Sequence, residues 1–401
     1  MSLVFHLLQP HGTLRAHVKR LTGIRISDAA LAQRRARLPW QILEEILRLV
    51  LRPLAKPKQQ PSAFYRGLRL VGIDGTMFSV FNTPWISKSL KKAISRRGKA
   101  AFAKLRVCSL MELGVHNPLA VRIGRAEESE LTMAYRLLAV LPPHSLLLAD
   151  RLYGVGKFLV AFLARFATGA SDFLVRVGTQ HKGWLCERLA DGSVILAVIG
   201  RDEHGQKQEI LVRQIRGIVR QPGKGRRTVR LWTSLLDARR YPAAELLALY
   251  ARRWEHELAT KQCKVDLRGG DLLSSYTVET AMQEIAALLI AQSLVAEVRL
   301  AVAEGAAVEA ARISFVKVLD ELRGLWLIFA RIGDTLSEQQ KRVLVGRMQK
   351  ALRDEMTPKR RSRSSPRAVR QPVCGWPRKL RNQSWQGRTQ YQVLHAHHGL
   401  S

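Results

Sequence analysis

The chain has 401 residues, 47% of them apolar, and carries 66 Lys plus Arg against 32 Asp plus Glu, a net charge of +34. That length and apolar content exclude a disordered chain and allow a sizeable core in two or three domains. The charge exceeds what solubility requires and calls for a polyanionic partner, nucleic acid before ribosomal or membrane-surface alternatives. Cys108, Cys186, Cys263 and Cys374 stand far apart without C-x-x-C spacing, the pattern of reduced thiols in a cytoplasmic protein. The opening MSLVFHLLQPHG is too short and interrupted for a signal peptide, and no run reaches about 18 uninterrupted apolar residues, so no membrane segment is expected.

In chain order, residues 1–56 read as a helical N-terminal region, with an N-cap at Ser27 or Asp28 and helical apolar spacing from Leu38 to Val50. Its pattern fits a DNA-binding element or a packing cap equally. The proline- and lysine-bearing LAKPKQQPSAF is a linker. From Leu68 the period changes to short strands: LRLVGID, TMFSVFN, and a hairpin from Arg106 to Ile123 turning at His116-Asn117-Pro118. Between the second and third lie Lys88, Lys91, Lys92, Arg96, Arg97, Lys99, Lys104 and Arg106 with no acid among them. A solvated loop explains such a run, but the absence of compensating carboxylates favours a nucleic-acid-facing one.

A helix from Ser129 to Val140, a strand ending at Asp150, a helix near Val155 to Phe166 and the strand DFLVRV follow. Three strands, helix, strand, helix is the order of an RNase H-like core, in which the first and fourth strands run side by side and would bring Asp74 and Asp150 to one sheet end. Residues 178–237 read as an inserted β subdomain, ahead of a helix from Ala243 to Asp266. Apolar helices near Val278 to Val302 and Phe315 to Leu352 come next, followed by a basic tail, 354–401, expected to be disordered when free. The fold class expected is therefore α/β: a catalytic domain over 66–303 with helical N- and C-terminal regions, the latter at 304–353.

Chemistry concentrates on the helix after the β insertion. At about 100° per residue, Tyr250, Arg253, Glu257 and Lys264 fall at roughly 0°, 300°, 340° and 320°, a stripe about 60° wide. One carboxylate thus stands on a face suited to phosphate. Asp74 and Asp150 end apolar runs upstream, and three carboxylates brought together suffice for Mg²⁺, which keeps waters and takes substrate phosphate oxygens as remaining ligands. Each acid also has a plainer explanation: Asp74 before Gly75 suits a turn, and Arg253 with Glu257 is an ordinary i,i+4 ion pair.

The joint pattern resembles the DDE transposases of the IS4 group. The spacing Tyr250-x-x-Arg253-x-x-x-Glu257-x-x-x-x-x-x-Lys264, within LYARRWEHELATKQCK, matches that family's signature, and VGIDGT and ADRLYG look like its first two acidic motifs. The resemblance covers about residues 20–300. It implies that Asp74, Asp150 and Glu257 hold catalytic Mg²⁺, with Mn²⁺ as a substitute, and that Tyr250, Arg253 and Lys264 contact the DNA backbone near the transposon end. Arg suits bidentate phosphate contact and Lys a point charge. Some relatives stack a flipped base on an aromatic of the β insertion; Trp232 is the candidate, with a core aromatic as the alternative, and Trp184 ranks below it.

Three further clusters carry less. His395, His397 and His398 sit in a polar tail without a nearby carboxylate or thiolate; Asp202-Glu203-His204 looks like a charged turn; Trp376 and Trp385 belong to a solvated basic tail. The expectation is an insertion-sequence transposase that binds terminal inverted repeats, cuts the ends and joins them to target DNA, as a homodimer on DNA, in the cytoplasm and off the membrane. Its rivals are a metal-dependent nuclease of the same fold and an inactive DNA-binding relic.

Overall fold

The structure is a computed structural model that describes residues 2–9, 11–95, 98–167, 169–221, 225–358, 363–364, 385–386 and 389–394. Arg96, Arg97, Trp376 and the His395, His397, His398 cluster lie outside the described residues. The chain forms two compact units, Met1–Leu146 with Arg253–Thr357 and Leu147–Arg252 with Pro358–Ser401.

In chain order the helices are α1 (Ser2–Leu8), α2 (Leu14–Thr22), α3 (Asp28–Arg37), α4 (Trp40–Val50), α5 (Pro84–Ser89), α6 (Glu130–Leu138), α7 (Gly156–Arg165), α8 (Ala243–Leu249), α9 (Trp254–Lys261), α10 (Val278–Gly305), α11 (Phe315–Ile332) and α12 (Glu338–Asp354). The longer strands are β1 (Leu68–Val80), β2 (Ala103–Glu112), β3 (Asn117–Arg125), β4 (Ser145–Ala149), β5 (Asp172–Arg176), β6 (Trp184–Arg188), β7 (Val194–Arg201), β8 (Lys207–Gln221), β9 (Gly225–Thr233) and β10 (Gln390–Val393). The architecture is mixed α/β.

The first unit is built on the antiparallel sheet β3-β2-β1, in which Asp74 pairs with Ser109 and Leu110 with Ala120. LRLVGID and TMFSVFN, expected as two strands, are one: β1 runs through Gly75 without a turn. Ten backbone partners along β2, from Val71 with Glu112 to Val80 with Ala103, outweigh the local turn preference of Asp-Gly. The hairpin turns earlier than expected, over residues 113–116, through Gly114 (φ 88°) and His116 (φ 59°), and Asn117 and Pro118 already lie in β3. Proline donates no hydrogen bond to a ladder, and the register slips beside it, between Leu110 and Met111.

Helix α10 is the axis of this unit's core. It is long and apolar enough to cross a membrane by length and composition, yet most of it is buried inside the unit. Val4, Leu7 and Leu8 of α1 and Leu47 of α4 join the same apolar cluster, each such side chain contributing about 1.5–3 kcal/mol on burial. Thr277 and Thr280 form a capping box that fixes where α10 starts. Its buried glutamines bond outward: Gln283 donates to the Arg35 and Leu38 carbonyls at 2.9 and 2.6 Å, and Gln292 to the Ala259 carbonyl of α9 at 3.0 Å. The single helix expected from Phe315 to Leu352 is α11 and α12, broken after Ile332 and restarted by a capping box of Ser337 and Gln340.

Strand β4 carries the chain into the second unit, an antiparallel array ordered β5-β9-β8-β7-β6. The long β8 pairs with β7 through Gln214 and with β9 from Arg213 onward. Where β7 ends, β10 takes its side of β8, Gly217 opposite Val393 and Arg220 opposite Gln390. Residues 390–393 therefore form a strand although they fall in the tail expected to be disordered: an open ladder edge offers them backbone partners that composition does not reveal. Arg213 is buried and ties the array together through Ser193, the Tyr241 carbonyl and Asp191.

Candidate active site

The residues 243–267 form one helical run of changing pitch: α8, a 3₁₀ turn over Tyr250–Arg253, α9, and a π-helical stretch over Gln262–Leu267. The uniform wheel of the sequence reading is therefore corrected: no single pitch relates Tyr250 to Lys264. The run passes from the second unit into the first between Arg252 and Arg253, so Tyr250 and Asp150 belong to the second unit, and Asp74, Arg253, Glu257 and Lys264 to the first.

In the first unit, Arg253 lies between two of the expected acids. Its Nη1 donates to Asp74 Oδ2 at 3.3 Å and its Nη2 to Glu257 Oε1 at 2.6 Å, while Asp74 Oδ1 accepts from the Gly75 amide at 2.9 Å. The three side chains keep 17%, 20% and 35% exposure for Arg253, Asp74 and Glu257, so the cluster is shielded but reachable. Asp74 is a mid-strand residue, not a strand end, and this puts it opposite α9 instead of at the rim.

One glycine lets the helix come so close to the strand, and a second makes room on the strand's other face. A Cβ at Gly72 would meet Leu113 Cδ2 at 3.1 Å and His256 Cβ at 3.2 Å. One at Gly75 would collide with the Glu130 carboxylate, which Arg106 Nη1 holds at 2.8 Å. Side chains alternate along β1, so Gly72 and Asp74 share the α9 side and Gly75 serves the other.

The helix is anchored by residues that the sequence reading did not single out. His256 is buried, its Nε2 within 3.1 Å of Ser109 Oγ and 3.2 Å of the Ser109 carbonyl, and burial lowers its pKa to about 4, so it is neutral. Glu255 accepts from the Gly114 amide at 2.5 Å, and Gln262 pairs with His116 at 3.0 Å. The only sequence signal for them is proximity to Glu257. Lys264 points at the same strand: Nζ donates to the Met77 carbonyl at 2.5 Å and lies 4.9 Å from the Phe78 ring centroid. Burial lowers its pKa, with Asp271 opposing.

In the second unit Asp150 follows β4, where its Oδ1 accepts from the Leu152 amide at 2.7 Å. Tyr250 donates its phenolic hydrogen to the Ala149 carbonyl at 3.1 Å, one residue before Asp150. Trp232, the stacking candidate, is a core aromatic: 1% exposed, its Nε1 donating to Gln214 Oε1 at 3.2 Å, in β9. Trp184 on β6 is 62% exposed. Asp202 accepts from the His204 and Gln206 amides, as expected of a charged turn.

The donor set suits a hard divalent cation. Asp74 and Glu257 offer carboxylate oxygens that both reach one guanidinium, itself a cation, which neutralises them. Within either unit, among the described residues, no three His, Cys, Asp or Glu side chains converge as a closed metal cluster.

Comparison with known proteins gives this geometry its family. The family model described as "Transposase DDE domain" matches residues 65–294. The transposase InsG of insertion sequence element IS4 from Escherichia coli K12 is 23% identical over 372 residues, covering 88% of this chain and 78% of that protein. A putative transposase InsZ of the same organism is 31% identical over 90 residues, which is 22% of this chain and 30% of that one. A piggyBac transposase synaptic complex with hairpin DNA aligns with TM-score 0.39 and 8% identity over 93% of this chain and 78% of its own. The chain belongs to the DDE transposases, in their IS4 family.

Proposed function

We propose that this chain is an insertion-sequence transposase that binds the terminal inverted repeats of its element, cleaves at the ends with water as nucleophile, and uses the freed 3′-OH to attack target DNA. The observation that carries the reading is the convergence of Asp74 and Glu257 on Arg253 in the span matched by the DDE domain. The proposed core is RNase H-like, with residues 178–237 as the insertion and Asp150 as the third acid.

Asp74, Asp150 and Glu257 would hold the divalent cation, Mg²⁺ in the cell. Bound there, it supplies charge neutralisation of the phosphoryl oxygens and a nucleophile active at neutral pH. Arg253 then turns from its carboxylates to a backbone phosphate, which it grips bidentately. Lys264 adds a point charge, and its lowered pKa, due to burial, is restored upward by a phosphate neighbour. Tyr250 orients the approach to Asp150 from its anchor on Ala149. Holding two ends together requires a homodimer on DNA.

The test is Mg²⁺-dependent cutting of a supercoiled plasmid that carries the element's ends. The reading expects cutting by the wild type and none by Glu257→Gln, with DNA binding kept by both. Equal cutting by both removes Glu257 from the chemistry; binding without cutting by either identifies a relic. A joining assay with pre-cut 3′-OH ends separates a transposase, which joins, from a nuclease, which only cuts.

A further inference from the structure

Beyond Asp74, strand β1 ends at an exposed aromatic pair. Phe81 and Tyr276 stack with ring centroids 6.0 Å apart and planes 19° from parallel, yet they remain 36% and 66% exposed. A face this apolar normally turns inward. Its framework is fixed: Ser79 donates its amide hydrogen to the Asp271 carbonyl and accepts from the Leu273 amide, both at 2.8 Å, so 271–273 runs along the end of β1. Thr83 Oγ1 donates to the Tyr276 carbonyl at 2.7 Å and also caps α5, whose Trp85 is 69% exposed.

The surroundings are cationic. Lys88 and Lys91 are exposed, Lys92 Nζ is held at 2.9 Å by the Ala101 carbonyl, and no Asp or Glu occurs between Asp74 and Glu112. Of the carboxylates near Tyr276 in the chain, Asp271 accepts from Ser79 Oγ at 3.3 Å and acts on Lys264, Glu279 accepts from the Trp40 amide at 2.6 Å, and Glu284 is paired with Arg268 at 2.9 Å. A flat aromatic face inside a field of positive charge suits a ligand with both π-faces and phosphates. Away from DNA, a second copy of this chain seated face to face here would set these exposed lysines against its own.

We infer that Phe81, Tyr276 and Trp85 form a stacking platform for unpaired nucleotides of the DNA. Phe81 lies seven residues beyond Asp74, about 23 Å at about 3.3 Å per residue. The platform therefore engages bases several nucleotides from the phosphate at the acids, with Lys264, at Met77, on the line between. The inference rests on the transposase reading for its substrate, and it is separable from that reading by experiment.

The experiment measures binding of the full chain, without Mg²⁺, to a short fluorescent thymidylate oligomer and to a duplex of equal length by fluorescence anisotropy. The variants are Tyr276→Ala, Tyr276→Phe and Trp85→Ala, with thermal unfolding followed for each. Tyr276→Ala is expected to weaken single-strand binding about five- to 150-fold per lost stack and to leave duplex binding within about twofold, while Tyr276→Phe retains wild-type binding. If Tyr276→Ala unfolds, Trp85→Ala, which removes an exposed side chain, decides on the same criterion. Unchanged single-strand binding, an equal loss on duplex, or a shift in self-association instead overturns the platform. Loss of single-strand binding in a chain that never cuts its ends keeps the platform and removes the transposase reading; cutting with unaltered single-strand binding does the reverse.

Discussion

The two groups of signature residues are held in different ways. In the first unit, Asp74 and Glu257 face a cation that the protein supplies itself, and side chains of α9 and of the π-helical stretch after it brace the arrangement: His256 on Ser109, Glu255 on the Gly114 amide, Gln262 on His116. In the second, Asp150 and Tyr250 are held by main-chain groups of one short segment, the Leu152 amide and the Ala149 carbonyl. The contrast teaches that two of the three proposed acids carry their counter-ion within the protein, so that on the proposed reading gaining a metal ion there would be an exchange. The third is set by local backbone geometry.

The comparison breaks most visibly if either acid proves dispensable. Asp74→Asn and Asp150→Asn are each expected to lower end cleavage at least about 10³-fold, since a metal contributes several kcal/mol of charge stabilisation. Quantified plasmid cutting checks this, and a variant that cuts normally removes its residue from the proposed set.

A second Arg–carboxylate pair in the first unit offers a purely structural contrast. Glu112 is fully buried, paired with Arg69, and accepts from the Leu54 and Ala55 amides at 2.9 and 3.2 Å. Glu112→Ala orphans three donors and is expected to cost about 3–5 kcal/mol in denaturant unfolding. Burial raises the Glu112 pKa, so between the ordinary glutamate value and the raised one the native state holds a proton that the unfolded chain has released. Stability then falls as pH rises through that window, and Glu112→Gln is expected to flatten the slope of unfolding free energy against pH.

Arg253→Gln sharpens the exchange idea. Removing the internal counter-ion is expected to tighten Mn²⁺ binding about fivefold, the worth of roughly 1 kcal/mol for a partly exposed pair, while weakening DNA binding. Titration calorimetry of each ligand separately reads both. The smallest effect is expected from Tyr250→Phe, which deletes one hydrogen bond to Ala149 and costs about 0.5–1.5 kcal/mol; thermal unfolding reports it.

Much of the site was legible in the sequence because it is written in local spacing. Arg253 and Glu257 meet as an i,i+4 pair must, and Ser27 caps α3 through the Ala30 amide at 3.1 Å. What was not legible depends on tertiary contact. Gly75 after Asp74 looks like a turn until its role in admitting the Glu130 carboxylate is known. Trp232 fits a stacking role on paper, but β8 and β5 flank it, Gln214 and Val175 lying opposite. The change of pitch between Tyr250 and Lys264 has no marker in the local sequence; the run bonds the Ala149 carbonyl near one end and the Met77 carbonyl near the other.

On the proposed reading, Asp74 and Glu257 exchange Arg253 for a divalent cation. The direct measurement is Mn²⁺ binding to the full chain by electron paramagnetic resonance, comparing wild type, Asp74→Asn and Glu257→Gln. Saturable binding by the wild type that either substitution abolishes is the predicted result. Binding unchanged in both variants would place the metal elsewhere and leave Asp74, Arg253 and Glu257 as an ion-pair network alone.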